Sequence, residues 1–119
     1  MNRVDYIKEL EEFKIDSKKV EIIEKKYKAP LSDTVKKIVS NSEDSVFFDD
    51  DYRILSFDEI VDAENDLHVG FAEKGIIPIV DCGENDFIVY HFHDDFWSKF
   101  NIIDETVFKK QETLEDFLK

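Results

Sequence analysis

Three glycines, two prolines and one cysteine are all that this 119-residue chain holds of those types. Each scarcity closes off a class of chemistry. Three glycines leave no Gly-rich loop to cradle a phosphate and no Gly-x-Ser-x-Gly elbow to present a nucleophilic serine. The single thiol, Cys82, forbids an internal disulfide and fits a reducing cytoplasm. No base flanks it in the sequence to lower its pKa, so it is expected to be inert. No apolar run approaches the ~18–20 residues that a membrane span needs. The amino end, Met1-Asn2-Arg3-Val4-Asp5-Tyr6, carries an acid where a secretory signal would carry an apolar core. The expected location is therefore the cytoplasm.

Basic residues are also in short supply. There are 16 Lys and Arg against 29 Asp and Glu, a formal net charge of −13. The deficit is uneven. Residues 1–40 balance at +2, residues 41–66 hold ten acids against Arg53 alone, and residues 67–119 balance at −6. A chain of this charge repels nucleic acid and anionic membrane and favours a basic partner. Solubility is the plainer use of the same charge, and it fits a monomer or weak homo-oligomer. The aromatics are not interleaved with Lys or Arg as a nucleic-acid platform requires. Eleven Phe and a hydrophobic fraction of 42% supply one core, hence a single domain over residues 1–119.

Apolar spacing divides the chain into helices, then strands. Val4, Ile7, Leu10 and Phe13 recur at three-residue steps and predict a helix over 2–13. Asp16 predicts an N-cap, with Ile15 and Val20 as a hydrophobic staple and Val20, Ile22, Ile23 and Tyr27 as the stripe. Ala29-Pro30 ends that helix, and a third spans 32–39. Val46-Phe47-Phe48 and Tyr52-Arg53-Ile54-Leu55 predict a hairpin across Asp49-Asp50-Asp51. Ser56 with Glu59 forms a capping box for a short helix over 57–61, and residues 62–69 are expected to be loop. Ile76 to Val80 and Phe87 to Phe92 are two buried strands across a turn holding Gly83 and Asn85. Both faces of the second strand are apolar as far as His91, so it belongs in the middle of a sheet. Residues 96–100 and 106–108 predict further strands, and Thr113 caps a closing helix over 114–118. The expected fold is α+β: N-terminal helices packed on a central, largely antiparallel sheet, closed by a short C-terminal helix.

Little in the sequence carries chemistry. His91-x-His93 followed by Asp94 and Asp95 places imidazoles and carboxylates close together, a set that suits zinc or another transition metal. His68 or the 49–51 acids would have to join them to complete a site. Asp49-Asp50-Asp51 offers oxygen ligands but lacks the alternating ligands and terminal Glu of an EF-hand loop. No pair of carboxylates stands out for acid–base work. A binding protein without cofactor is expected in place of an enzyme, with a small metal protein on His91, His93, Asp94 and Asp95 as the alternative.

The order of segments resembles the SUKH superfamily of small α+β domains. Pro30-Leu31-Ser32-Asp33, Arg53-Ile54-Leu55-Ser56-Phe57-Asp58-Glu59-Ile60, Gly75-Ile76-Ile77-Pro78-Ile79-Val80-Asp81 with Gly83 and Asp86-Phe87, and Thr113-Leu114-Glu115-Asp116-Phe117-Leu118 carry the likeness. It spans about Val20 to Leu118. Ala29 stands where the family pattern has Leu, and Asn41-Ser42 stands for its Asn-Gly. The resemblance implies a non-enzymatic protein-binding domain. Many bacterial members resemble immunity proteins, which bind and neutralise a cognate toxin, often a nuclease; other members look like eukaryotic cell-wall regulators or adaptors. Nucleases carry cationic clefts for phosphate, which an acidic inhibitor can approach quickly and fill. The segment 41–66 is the natural face for this, through Asp49, Asp50, Asp51, Asp58, Glu59, Asp62, Glu64 and Asp66.

Overall fold

In the computed structural model, which describes residues 1–119, six strands form one sheet in the order β1-β2-β3-β4-β5-β6. They are β1 (Val46–Phe47), β2 (Arg53–Ile54), β3 (Ile76–Gly83), β4 (Asp86–His91), β5 (Phe96–Asn101) and β6 (Val107–Gln111), and every neighbouring pair is antiparallel. Helices α1 (Arg3–Glu12), α2 (Ser17–Tyr27) and α3 (Asp33–Ser40) precede the sheet. Helices α4 (Phe57–Leu67) and α5 (Phe71–Lys74) lie between β2 and β3, and α6 (Leu114–Leu118) closes the chain. The expected α+β arrangement is present.

Local chemistry accounts for most helix ends. The side chains of Asn2, Asp16, Ser32 and Thr113 each accept from a backbone N–H of the helix they precede. Lys28 and His68 end α2 and α4 in the left-handed region, at φ +53° and +56°.

The buried face of α1 differs from the expectation. Tyr6 and Leu10 are buried, whereas Val4 is 55% exposed. A three-residue step falls ~60° short of a full turn, so Val4 and Phe13 lie on opposite sides of the helix. The four-residue step from Tyr6 to Leu10 stays on one side. Ile15 and Ile22, expected to staple and widen the α2 stripe, are both exposed.

A second correction concerns residues 62–69. Helix α4 does not stop at Val61 but runs to Leu67. No glycine or proline interrupts the chain from Ser56 to Val69. Ile60 and Ala63 keep an apolar face turned inward, with Leu67 partly buried behind them. The polar residues read as loop are the solvent side of that helix. Helix α5, which no sequence pattern announced, is one turn that buries Phe71 and ends at Gly75.

The β3–β4 hairpin is the centre of the core. Its turn residues Glu84 and Asn85 sit at φ +52° and +68°, the mirror-type geometry that matches strand twist. An extra residue, Ile79, bulges β3 between the pairs Pro78–Val89 and Val80–Ile88. In β4, Ile88 and Tyr90 point to one face and Phe87 and Val89 to the other, and all are buried. The Phe87 face also carries Phe100, which meets Phe71 of α5 edge-to-face at 6.0 Å. The Ile88 face also carries Lys99, whose Nζ donates to Tyr52 Oη at 2.8 Å. Tyr52 in turn lies under the Arg3 guanidinium of α1, at 4.4 Å.

Candidate interaction surface

Eight of the ten acids of segment 41–66 fall into two groups; Glu43 and Asp44 precede β1 and belong to neither. Asp49, Asp50 and Asp51 form the β1–β2 turn, and all three are exposed. Asp49 pairs with the terminal ammonium of Met1 at 3.3 Å, and Asp50 forms a close ion pair with Arg3. Asp50 Oδ1 also accepts from the Tyr52 N–H, which tightens the turn. Asp51 adopts φ +72° and has no ion-pair partner. Through Arg3 and Tyr52 this group is tied to the sheet face that carries Lys99.

The second group lies on α4, against the opposite sheet face. A cleft there is lined by Ala63 and Leu67 of the helix together with Phe87 of β4. Glu59 is held internally. Its Oε1 accepts from Arg53 Nη1 at 2.7 Å, Ser45 Oγ at 2.7 Å and the Ser56 N–H at 3.0 Å. These bonds, led by the one from Arg53, hold the carboxyl down at about 2. Arg53 Nη2 also reaches Asp81 Oδ2 at 3.3 Å, so one guanidinium fastens α4 to β3. Glu64 is likewise engaged: it accepts from the Ala72 N–H at 3.1 Å and anchors the start of α5.

Asp58, Asp62 and Asp66 remain. They recur at four-residue steps, so they form one stripe of ~12 Å along α4. All three are exposed. None takes part in an ion pair. Spaced like charges of this kind destabilise a helix by ~0.2–0.5 kcal/mol per pair. Asp58 favours the positive end of the helix dipole, but Asp66 sits in the last turn, where a negative charge is unfavourable. The stripe therefore costs the fold something that packing does not return.

The histidines part company. His91 ends β4, stacks on Phe96 at 3.9 Å, and shares a 2.7 Å hydrogen bond with buried Ser98 through Nε2. Burial favours its neutral form and lowers its pKa, with Lys110 adding to the effect. His93 lies exposed in the following turn, against Gly75. No three His, Cys, Asp or Glu side chains gather as a metal would require. Cys82 is half-buried, and burial pushes its thiol up to about 11, against the thiolate.

The Arg53 knot was not anticipated, although one signal pointed to it. Arg53 is the lone base among the ten acids of residues 41–66, and a solitary cation in such a stretch is bound to collect partners. No helix is long and apolar enough to cross a membrane. Comparison of the chain with family models, with curated proteins and with solved structures finds no match.

Proposed function

We propose that the chain is a SUKH-like, immunity-type protein that binds and neutralises a basic protein toxin, with the exposed carboxylates of α4 at the centre of the contact. The observation that carries the reading is the unpaired stripe Asp58, Asp62 and Asp66, kept at a cost to the helix that bears it. The surrounding net charge of −13 adds a long-range field that steers a cationic partner and falls with salt. The stripe sits on a rigid base, because Glu59, Arg53 and Asp81 lock α4 to β3. Inhibition needs no chemistry from this chain: occupying the cationic cleft that a nuclease uses for phosphate is sufficient. The order of elements around the segments that resemble SUKH domains lends further support. Helix α3 begins directly after Pro30-Leu31-Ser32, and the Gly75–Phe87 segment is the central hairpin.

The test is whether a toxin-like reading frame lies beside the chain's own gene and whether the chain protects against its product. The wild type should rescue growth and bind that product with a rate that falls as salt rises. The triple variant Asp58→Lys, Asp62→Lys, Asp66→Lys should stay folded and associate at least ~10-fold more slowly. Equal association by the triple variant removes the α4 stripe from the contact. Failure of the wild type to protect removes the immunity reading. An adaptor would bind through the same surface but leave its partner's activity intact, so the partner's activity in the complex separates the two roles.

A further inference from the structure

The acidic chain contains one groove of the opposite sign. It has a volume of about 310 Å³, at the small end of ligand pockets, and opens on the sheet face away from α4. Its walls bring together Arg3 of α1, Tyr52, Lys99 of β5, Lys109 and Gln111 of β6, and Asp116 of α6. In a chain with 29 acids against 16 bases, this groove gathers three bases against one acid. Lys99 and Lys109, like most lysines of the chain, are in no ion pair. Lys99 instead donates to the Tyr52 hydroxyl at 2.8 Å, and Lys109 projects from the irregular pairing of β5 and β6 with φ +53°. Arg3 is partly engaged: it pairs with Asp50 and donates Nη1–H to the Phe117 carbonyl at 2.9 Å. Its Nε is buried without a hydrogen-bond partner. The one acid in the wall, Asp116, faces Lys119 at 3.9 Å.

We propose that this groove binds a small molecule through a phosphate or carboxylate head, held by Lys99 and Lys109 with Gln111 as a neutral donor. The Tyr52 ring is already engaged by Arg3 at 4.4 Å and Lys99 at 5.3 Å, so the half-buried Phe117 side chain supplies the apolar wall for the rest of the ligand. Two lysines and an amide supply enough donors for an oxyanion without any phosphate-binding loop. The groove is separate from the α4 stripe and does not depend on the immunity reading.

The test follows backbone amide resonances of the intact protein during titration with inorganic phosphate and, separately, with glutarate, each against sodium chloride of equal ionic strength. Saturable shifts at Lys99, Lys109 and Gln111 are expected with at least one oxyanion, and the stronger of the two identifies the head group. Lys109→Gln alters an exposed side chain, so the fold should survive, and it should weaken binding ~10-fold. Lys99→Met should abolish binding; if that variant unfolds, Lys109→Gln alone decides. Shifts no larger than those in chloride overturn the proposal. So do shifts that persist unchanged in Lys109→Gln, because they would mark diffuse ionic screening.

Discussion

Glu59 shows how one side chain can be assigned two incompatible tasks by its sequence context. Its spacing from Ser56 predicts a capping box, and its place among acids predicts an exposed carboxylate. The structure gives it to the box, with Arg53 and Ser45 added. Its folded-state carboxyl lies at about 2 against an ordinary 4.5, so its stabilising contribution is complete above pH ~4.5. That contribution disappears as pH falls toward 2. Glu59→Gln should cost ~1 kcal/mol at pH 7, a modest figure because the side chain is 36% exposed. Urea unfolding of wild type and variant at pH 7 and pH 3 checks this: the difference between them should shrink at the lower pH. A constant difference would mean that packing, not charge, holds the residue. Gly75 makes a sharper case. It adopts φ +75°, and an added Cβ would meet His93 Cδ2 at 2.8 Å. Gly75→Ala should destabilise by ~1–2 kcal/mol, the sum of a left-handed alanine and a displaced imidazole. Combining it with His93→Ala should recover part of that loss, and no recovery would assign the whole cost to the backbone.

At the scale of elements, legibility follows from how many independent signals agree. The β3–β4 hairpin was readable because two apolar runs flank residues suited to positive φ, and the observed turn uses Gly83 and Asn85 as expected. Glu84 shares that geometry without any compositional hint, carried there by its neighbours. Helix α4 was half readable: its cap was plain, but Asp62, Glu64, Asn65 and Asp66 have the composition of a loop. Only the inward face of Ile60 and Ala63 reveals that the helix continues, and that face is set by contact with the sheet. The candidate stripe emerges only once this helix is extended, since Asp62 and Asp66 share a side with Asp58 through helical geometry alone. Asp62→Asn should therefore stabilise the domain, by ~0.2–0.5 kcal/mol for each like-charge neighbour relieved, while slowing association with a basic partner. Thermal unfolding and association kinetics on the same variant measure both. A stabilised variant with undiminished association would identify the stripe as inherited surface, not as a contact.

For the whole molecule, charge and topology act against each other. Six strands pair in chain order; β1–β2, β3–β4, β4–β5 and β5–β6 are local hairpins, while the β2–β3 pairing spans α4 and α5, and the core of Ile, Val and Phe joins the sheet to helices from both ends of the chain. Around that core the formal charge of −13 pushes outward. Self-repulsion among exposed carboxylates is screened over a Debye length of ~10 Å at 0.1 M salt, while the partly buried Arg53 pairs, with the arginine side chain 24% exposed, are screened less. Added salt should accordingly relieve the repulsion and leave the knot largely intact. The stability of the free protein should rise when sodium chloride is increased from 20 to ~300 mM, the opposite of a fold that rests on surface ion pairs. Binding to a basic partner should weaken over the same range. Those opposed slopes, one from unfolding and one from association, separate a functional charge excess from one balanced within the fold. If stability falls with salt, the ion pairs at Arg53, Arg3 and Lys74 contribute more than the surplus carboxylates remove.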